Sequence, residues 1–171
     1  MDSAPYLELL EKTDAAARDA PPPGSEAEAS ALAAFRKFFE NMTPEQVEAE
    51  IANVYAGDAW LYDTLALHNG LEEIRPYFIA TARRAAAVRV EVLDLLRNGH
   101  EFYLKWQMDI DWSSFKSGKT TRSFGMSHLR FNEDGRVILH YDFWDSGHGF
   151  FEHLPLIGSA IRAVKRKVRK V

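Results

Sequence analysis

From Val88 to Trp112 the chain reads VRVEVLDLLRNGHEFYLKWQMDIDW, and here its apolar residues switch from a helical period to a period of two. VRVEVLDLL alternates, and Asn98-Gly99 is the dipeptide that suits a tight hairpin. HEFYLKWQMDIDW alternates again. Phe102, Leu104, Trp106, Met108 and Ile110 fall on one face, with Tyr103, Lys105, Gln107 and Asp109 on the other. A run of this kind predicts two long antiparallel strands with one apolar face.

Downstream the pattern continues. KSGK predicts a turn, TRSFGMSHLRF a strand, NEDGR a second turn and VILHYDFWD a last strand. LPLIGSAIRAVKRKVRKV then reads as a basic helix. Upstream the signals are helical. Ser25 with Glu28 forms a capping-box pattern ahead of Leu32, Phe35, Phe38, Phe39 and Met42. Thr43-Pro44-Glu45-Gln46 is a second helix start, leading to a stripe of Val47, Ile51, Val54 and Tyr55. AWLYDT reads as a short strand, LHNG as a turn, and LEEIRPYFIATARRAA as a third helix in which Pro76 marks a kink or late start. Helices followed by a four-strand meander predict an α+β fold, with a strongly bent antiparallel sheet against the helices. Residues 1–24 stand apart. They combine a short amphipathic segment with the Pro-rich spacer DAPPPG, and are expected to form a loosely attached extension to a domain spanning residues 25–171.

Composition narrows the function classes. The chain has 171 residues, 46% apolar and 27% charged, the balance of one globular domain. A net charge of −4 gives no general basic field for nucleic acid. There is no cysteine, which excludes disulfide and thiolate chemistry. The N-terminal residues lack the basic and apolar regions of a secretory signal, and no apolar run approaches the ~20 residues of a membrane span, so a cytoplasmic location is expected. No HExxH, HxxxH, Gly-rich phosphate loop or Gly-x-Ser-x-Gly elbow occurs, so no metal or cofactor is expected.

The segment HYDFWD, His140–Asp145, is odd for a strand, because Asp is depleted there. Alternation puts His140, Asp142 and Trp144 on one face. A carboxylate facing a core must be paired, hydrogen-bonded or protonated, and such a group can serve as an acid or base near neutral pH. Asp142 reads either as that group or as half of a structural ion pair. Asp63, after AWLY, is a second candidate base or else a strand-end cap. Asp145 and Asp58 fit turn or capping roles. His128 reads as structural, whereas His140 fits a core histidine and an acid–base group equally.

Together these motifs resemble the SnoaL-like proteins of the nuclear transport factor two-like, ketosteroid-isomerase-like superfamily. The resemblance covers roughly residues 25–165. VYAGDAWLYDTLALHNGLEEIRPYF matches the family's helix end, strand ending in Asp and Gly before the next helix. SHLRFNEDGRVILHYDFWD matches its last hairpin. The resemblance implies a cone formed by a curved sheet and its helices, enclosing a pocket, often in a dimer. It places Asp63 where ketosteroid isomerases carry their base. The isomerase's two oxyanion donors fall on Phe39 and Ser127, so both are missing. Limonene-epoxide hydrolases use an Asp-Arg-Asp set. Asp142 takes the last-strand place, while the Arg-x-Asp pair falls near Lys105 and Gln107, which this alignment turns inward. The purely hydrophobic pattern turns Phe102, Leu104, Trp106 and Met108 inward instead.

The expectation is a cofactor-independent enzyme of isomerase, lyase or cyclase type on a hydrophobic, ring-containing molecule. Asp142 or Asp63 would be its base, and His140 or Lys105 the donor to a developing oxyanion. Trp144, Leu61, Tyr62, Trp60, Phe39, Gln107, Ser127 and Trp106 would line the pocket. The alternatives are a non-catalytic binding or interaction module and epoxide-hydrolase-like chemistry. A homo-oligomer is expected, with a dimer favoured, and neither nucleic acid nor a membrane span. The basic tail leaves membrane-surface attachment as a weaker third possibility.

Overall fold

The computed structural model describes residues 5–112, 120–154 and 157–168. Its elements are α1 (Tyr6–Ala17), α2 (Glu26–Glu40), α3 (Pro44–Val54), β1 (Tyr55–Tyr62), β2 (Leu67–Asn69) and α4 (Leu71–Arg84). They are followed by β3 (Ala85–Asn98), β4 (Glu101–Trp112), β5 (Thr120–Phe131), β6 (Val137–Trp144), the one-turn α5 (Ser146–Gly149) and α6 (Ile157–Val168). The turn predicted at KSGK lies outside the described residues.

Helix boundaries follow the caps. Ser25 Oγ accepts from Glu28 N at 3.1 Å and Thr43 Oγ1 from Gln46 N at 3.2 Å. Pro76 lies inside α4, which begins at Leu71, so it is not a late start. LHNG is not a bare turn. Its first three residues form β2, paired with the end of β1.

The six strands make one sheet in the order β2-β1-β6-β5-β4-β3, antiparallel except for the β1–β6 pair. The meander β3 to β6 matches the alternation of the sequence. Register shifts at Ala85/Ala87 and Val92/Asp94 bend the long β3, as inserted residues do. The concave face holds α2, α3 and α4, and the main core gathers Phe35, Phe38, Phe39, Val47, Ile51, Ile74, Phe78 and Leu104. No described helix is long and apolar enough to cross a membrane.

The N-terminal segment departs from expectation. Rather than trailing loosely, α1 lies on the opposite face of β5 and β6. Leu9 is 1% exposed and packs with Leu139 and Tyr141. Burying that leucine contributes about 2 kcal/mol. Polar contacts fix the helix further. Arg130 Nη1 donates to Leu10 O and, at 2.9 Å, to Thr13 Oγ1. Tyr6 pairs its hydroxyl with His128 Nδ1 at 2.8 Å. His128 Nε2 in turn meets Glu101 at 2.5 Å, and Glu101 is clamped by Arg130 Nε at 2.8 Å and by Arg130 Nη2. The residues of α1 lie more than a hundred positions from His128 and Arg130, which is why composition alone reads the segment as detached.

Candidate active site

The curved sheet and α2–α4 leave a cavity of about 430 Å³. Its wall is mostly apolar: Phe35, Phe39, Leu61, Phe78, Val88, Trp106, Met108 and Trp144. Asp142, Asp63, Ser127, His140 and Tyr77 bring polar atoms to it, and Arg84 lines it too. Gly125 on β5 makes room for the two indoles. A Cβ there would lie 2.3 Å from the Trp106 ring and 2.8 Å from Trp144 Cβ.

β6 delivers His140 and Asp142 to the same side because strand side chains alternate. Asp142 Oδ1 accepts from Ser127 Oγ at 2.5 Å and from His140 Nε2 at 2.9 Å. Trp106 Nε1 donates to Ser127 Oγ at 2.9 Å, so the serine proton is left for the carboxylate. Tyr55 Oη lies 2.6 Å from His140 Nδ1. A carboxylate accepting from Nε2 requires the proton on that nitrogen. In the neutral ring Nδ1 is then the acceptor, and Tyr55 donates to it. Phe35 and Phe39 meet the imidazole edge-on at centroid distances of 5.4 and 5.7 Å. Burial, and next the negative charge of Asp142, push the Tyr55 hydroxyl well above its ordinary range, so it stays a proton donor. Among the described residues, Asp142 Oδ2 has no hydrogen-bond partner. Among the described residues, His140 is the basic group within ion-pair distance of Asp142.

Asp63 is differently placed. Its Oδ1 accepts from Leu65 N and Ala66 N, both at 3.0 Å, and its Oδ2 from the Tyr77 hydroxyl. The next residue, Thr64, has φ of 70°, a conformation rare for a β-branched side chain. Asp63 therefore holds a tight turn at the cavity wall. Burial first, and the Asp63 charge second, raise the Tyr77 hydroxyl well above its ordinary value. Trp144 Nε1 donates to Asp63 O at 2.7 Å, joining β6 to that turn.

Of the expected lining, Trp144, Leu61, Phe39, Ser127 and Trp106 face the cavity. Trp60 and Tyr62 do not. They point to the other face, where Trp60 meets Lys12 and Tyr62 stacks on Tyr141. Leu61 alternates with both, so its burial in the cavity wall sends them outward. Lys105 and Gln107 also point away from the cavity. Lys105 is exposed, and Gln107 lies in a separate surface cleft with Asp109 and Arg122. Turning Lys105 inward would have turned Leu104 and Trp106 out with it, and burying each of these contributes about 1.5–3 kcal/mol. Hydrophobic alternation thus overrides the epoxide-hydrolase alignment, and Lys105 cannot donate to anything inside the cavity. Tyr55 and Tyr77 were missed by sequence reading. The one faint signal was that Tyr55 ends an apolar helical stripe. Asp145 does cap α5, accepting from His148 N at 2.9 Å. Among the described residues no three His, Asp or Glu side chains gather at metal-ligand spacing.

A family model for the SnoaL-like domain matches residues 35–140. In three dimensions the chain is similar to an LEH-like epoxide hydrolase of M. tuberculosis, at 13% identity and a TM-score of 0.60, over 85% of this chain and 96% of that one. It is also similar to a proposed SnoaL-like polyketide cyclase of Shewanella denitrificans OS-217, at 14% identity and a TM-score of 0.61, over 72% and 94%. A third similar structure is TerC co-crystallised with polyporic acid, at 13% identity and a TM-score of 0.58, over 71% and 93%. At such identities the likeness establishes the fold. No curated protein matches the chain.

Proposed function

The chain belongs to the SnoaL-like domain family, and on that premise we propose that it is a cofactor-independent acid–base enzyme acting on a hydrophobic, ring-containing small molecule. One observation carries the reading. Asp142 is 15% exposed and lines an apolar cavity; its Oδ1 is anchored by Ser127 and His140, and among the described residues its Oδ2 has no hydrogen-bond partner. A carboxylate held on one oxygen and open on the other is a positioned base.

The roles follow from the hydrogen-bond accounting. Asp142 takes a proton from the substrate on Oδ2 and returns it at another atom, giving isomerisation, elimination or cyclisation. His140 and Ser127 fix the carboxylate plane, and Tyr55 fixes the histidine tautomer. Asp63 shapes the wall, since both its oxygens are already engaged. Trp106, Trp144, Tyr77, Ser127 and His140 all direct their protons to protein acceptors. Among these five groups the cavity is offered an acceptor and no free proton donor, and His140 positions the base rather than stabilising an enolate. Asp-Arg-Asp epoxide hydrolysis is not adopted, because its remaining places fall on the outward Lys105 and Gln107.

The reading includes a homodimer in the cytoplasm. Support for self-association comes from Phe124, Met126 and Phe143, exposed side by side on the outer face of β5 and β6. Light scattering in solution tests it.

Function is tested by thermal shift of the wild type and Asp142→Asn against steroids, terpenoid epoxides, polyketide-like aromatics and diaryl compounds. A ligand that binds the folded state raises the melting temperature by mass action. The expected result is a ring-bearing hit whose turnover falls about a hundredfold or more in Asp142→Asn. Equal turnover in the two proteins would remove Asp142 as the base. A hit bound without turnover would leave a non-catalytic binding module.

A further inference from the structure

The C-terminal helix is docked by an unexpected face. In α6, Ile157, Ile161, Val164 and Val168 recur at helical spacing and form one stripe. The body holds the helix elsewhere. Gly158 is buried against Glu152, where a Cβ would come within 2.1 Å of Glu152 O. Arg162 Nη1 donates to Glu152 O at 2.7 Å, and Lys165 forms an ion pair with the Glu152 carboxylate. Gly158, Arg162 and Lys165 share a face about 100° round from the apolar stripe. Ile157, Val164 and Val168 are consequently 49%, 61% and 68% exposed. Surface helices normally turn such a stripe onto their own domain.

Charge indicates what covers it. From Ile157 onward the sequence has Arg162, Lys165, Arg166, Lys167, Arg169 and Lys170 and no acidic residue, in a chain whose net charge is −4. Lys167 flanks the stripe on the side away from Glu152, where its methylene stem can lie along an apolar surface with the ammonium group outward. A short apolar stripe adds a modest insertion term, and clustered bases add attraction to anionic headgroups. Two such terms together give reversible interfacial attachment. We infer that α6 lies in the headgroup boundary of an anionic lipid bilayer and tethers the domain there.

The test is co-sedimentation of the full chain with vesicles of equimolar phosphatidylglycerol and phosphatidylcholine, or of phosphatidylcholine alone, at low salt and at about 0.5 M salt. The wild type should pellet only with the anionic vesicles at low salt. Arg166→Glu/Lys167→Glu and, separately, Val164→Asp should each weaken binding about fivefold or more. Both changes fall on exposed side chains, and an unchanged thermal melt confirms that the fold is intact. Three results would overturn the inference. The wild type could remain in the supernatant at low salt. Val164→Asp could bind as well as wild type, which would leave only a charged surface open to any polyanion. Finally, light scattering could show a wild-type dimer that Val164→Asp converts to monomer, assigning the stripe to a second copy.

Discussion

Two tyrosine–histidine–carboxylate chains run on opposite faces of this sheet. On the inner face Tyr55 meets His140 at 2.6 Å and His140 meets Asp142 at 2.9 Å. On the outer face Tyr6 meets His128 at 2.8 Å and His128 meets Glu101 at 2.5 Å. Locally the chemistry is the same, and the ends differ. Glu101 is locked between His128 and the Arg130 guanidinium, under α1. Asp142 ends at a cavity, and among the described residues its second oxygen has no hydrogen-bond partner. Burial would raise Glu101, but the hydrogen bonds from Arg130 and His128 and the Arg130 charge outweigh it and hold the carboxyl below its ordinary value. A motif of residue types therefore does not identify a site. What distinguishes the two is whether any hydrogen-bonding capacity is left for a ligand.

The sharpest way to break the comparison is Glu101→Gln. It leaves the Arg130 charge buried and unmatched, and should cost about 3 kcal/mol in chemical denaturation. A loss below about 1 kcal/mol would mean that the outer chain does not hold α1, since exposed pairs are worth no more than that.

Acidification probes the same cluster. Burial lowers His128 below its ordinary 6.5, with Glu101 opposing in part. Because the folded-state value is depressed, His128 contributes stability above pH 6.5 that is lost as pH falls through the folded value. Glu101 is also depressed, from 4.5, so its contribution is present above pH 4.5 and lost below it. Stability should therefore fall in two stages on acidification, the first beginning just below pH 6.5. In Tyr6→Phe/His128→Gln the first stage should vanish; if it persists, another histidine is responsible.

Tyr55→Phe sharpens the inner half. It leaves His140 Nδ1 buried without a donor and should cost about 1–2 kcal/mol in a thermal or urea melt. Lys105→Ala is the smallest change. It should alter stability by less than about 0.5 kcal/mol and leave ligand binding in the thermal-shift assay unchanged. A tenfold loss of binding would reinstate the inward alignment.

Much of the fold is legible in the sequence because it rests on local rules. Ser25, Thr43 and Pro44 announce their helices, Asn98-Gly99 its hairpin, and the alternation from Val88 onward the meander. His140 and Asp142 are legible as an inward pair because strand geometry puts i and i+2 together. The rest depends on partners that only the folded chain brings near. Tyr55 reaches His140 across 85 positions, Tyr6 reaches His128 across 122, and neither contact has a local sign. Lys105 shows the opposite error. Motif alignment placed a charge inside, whereas the burial of Leu104 and Trp106 on either side of it forced the charge out.

The most direct test compares Asp142→Asn with Glu101→Gln by urea denaturation at pH 7.5. With both described hydrogen bonds on one oxygen, Asp142 can become a neutral amide while Ser127 and His140 still donate to the oxygen that remains. Asp142→Asn should therefore retain stability to within about 1 kcal/mol, while Glu101→Gln loses about 3 kcal/mol. Equal losses in the two variants would contradict the account, making Asp142 a second structural anchor rather than a base kept available for a substrate.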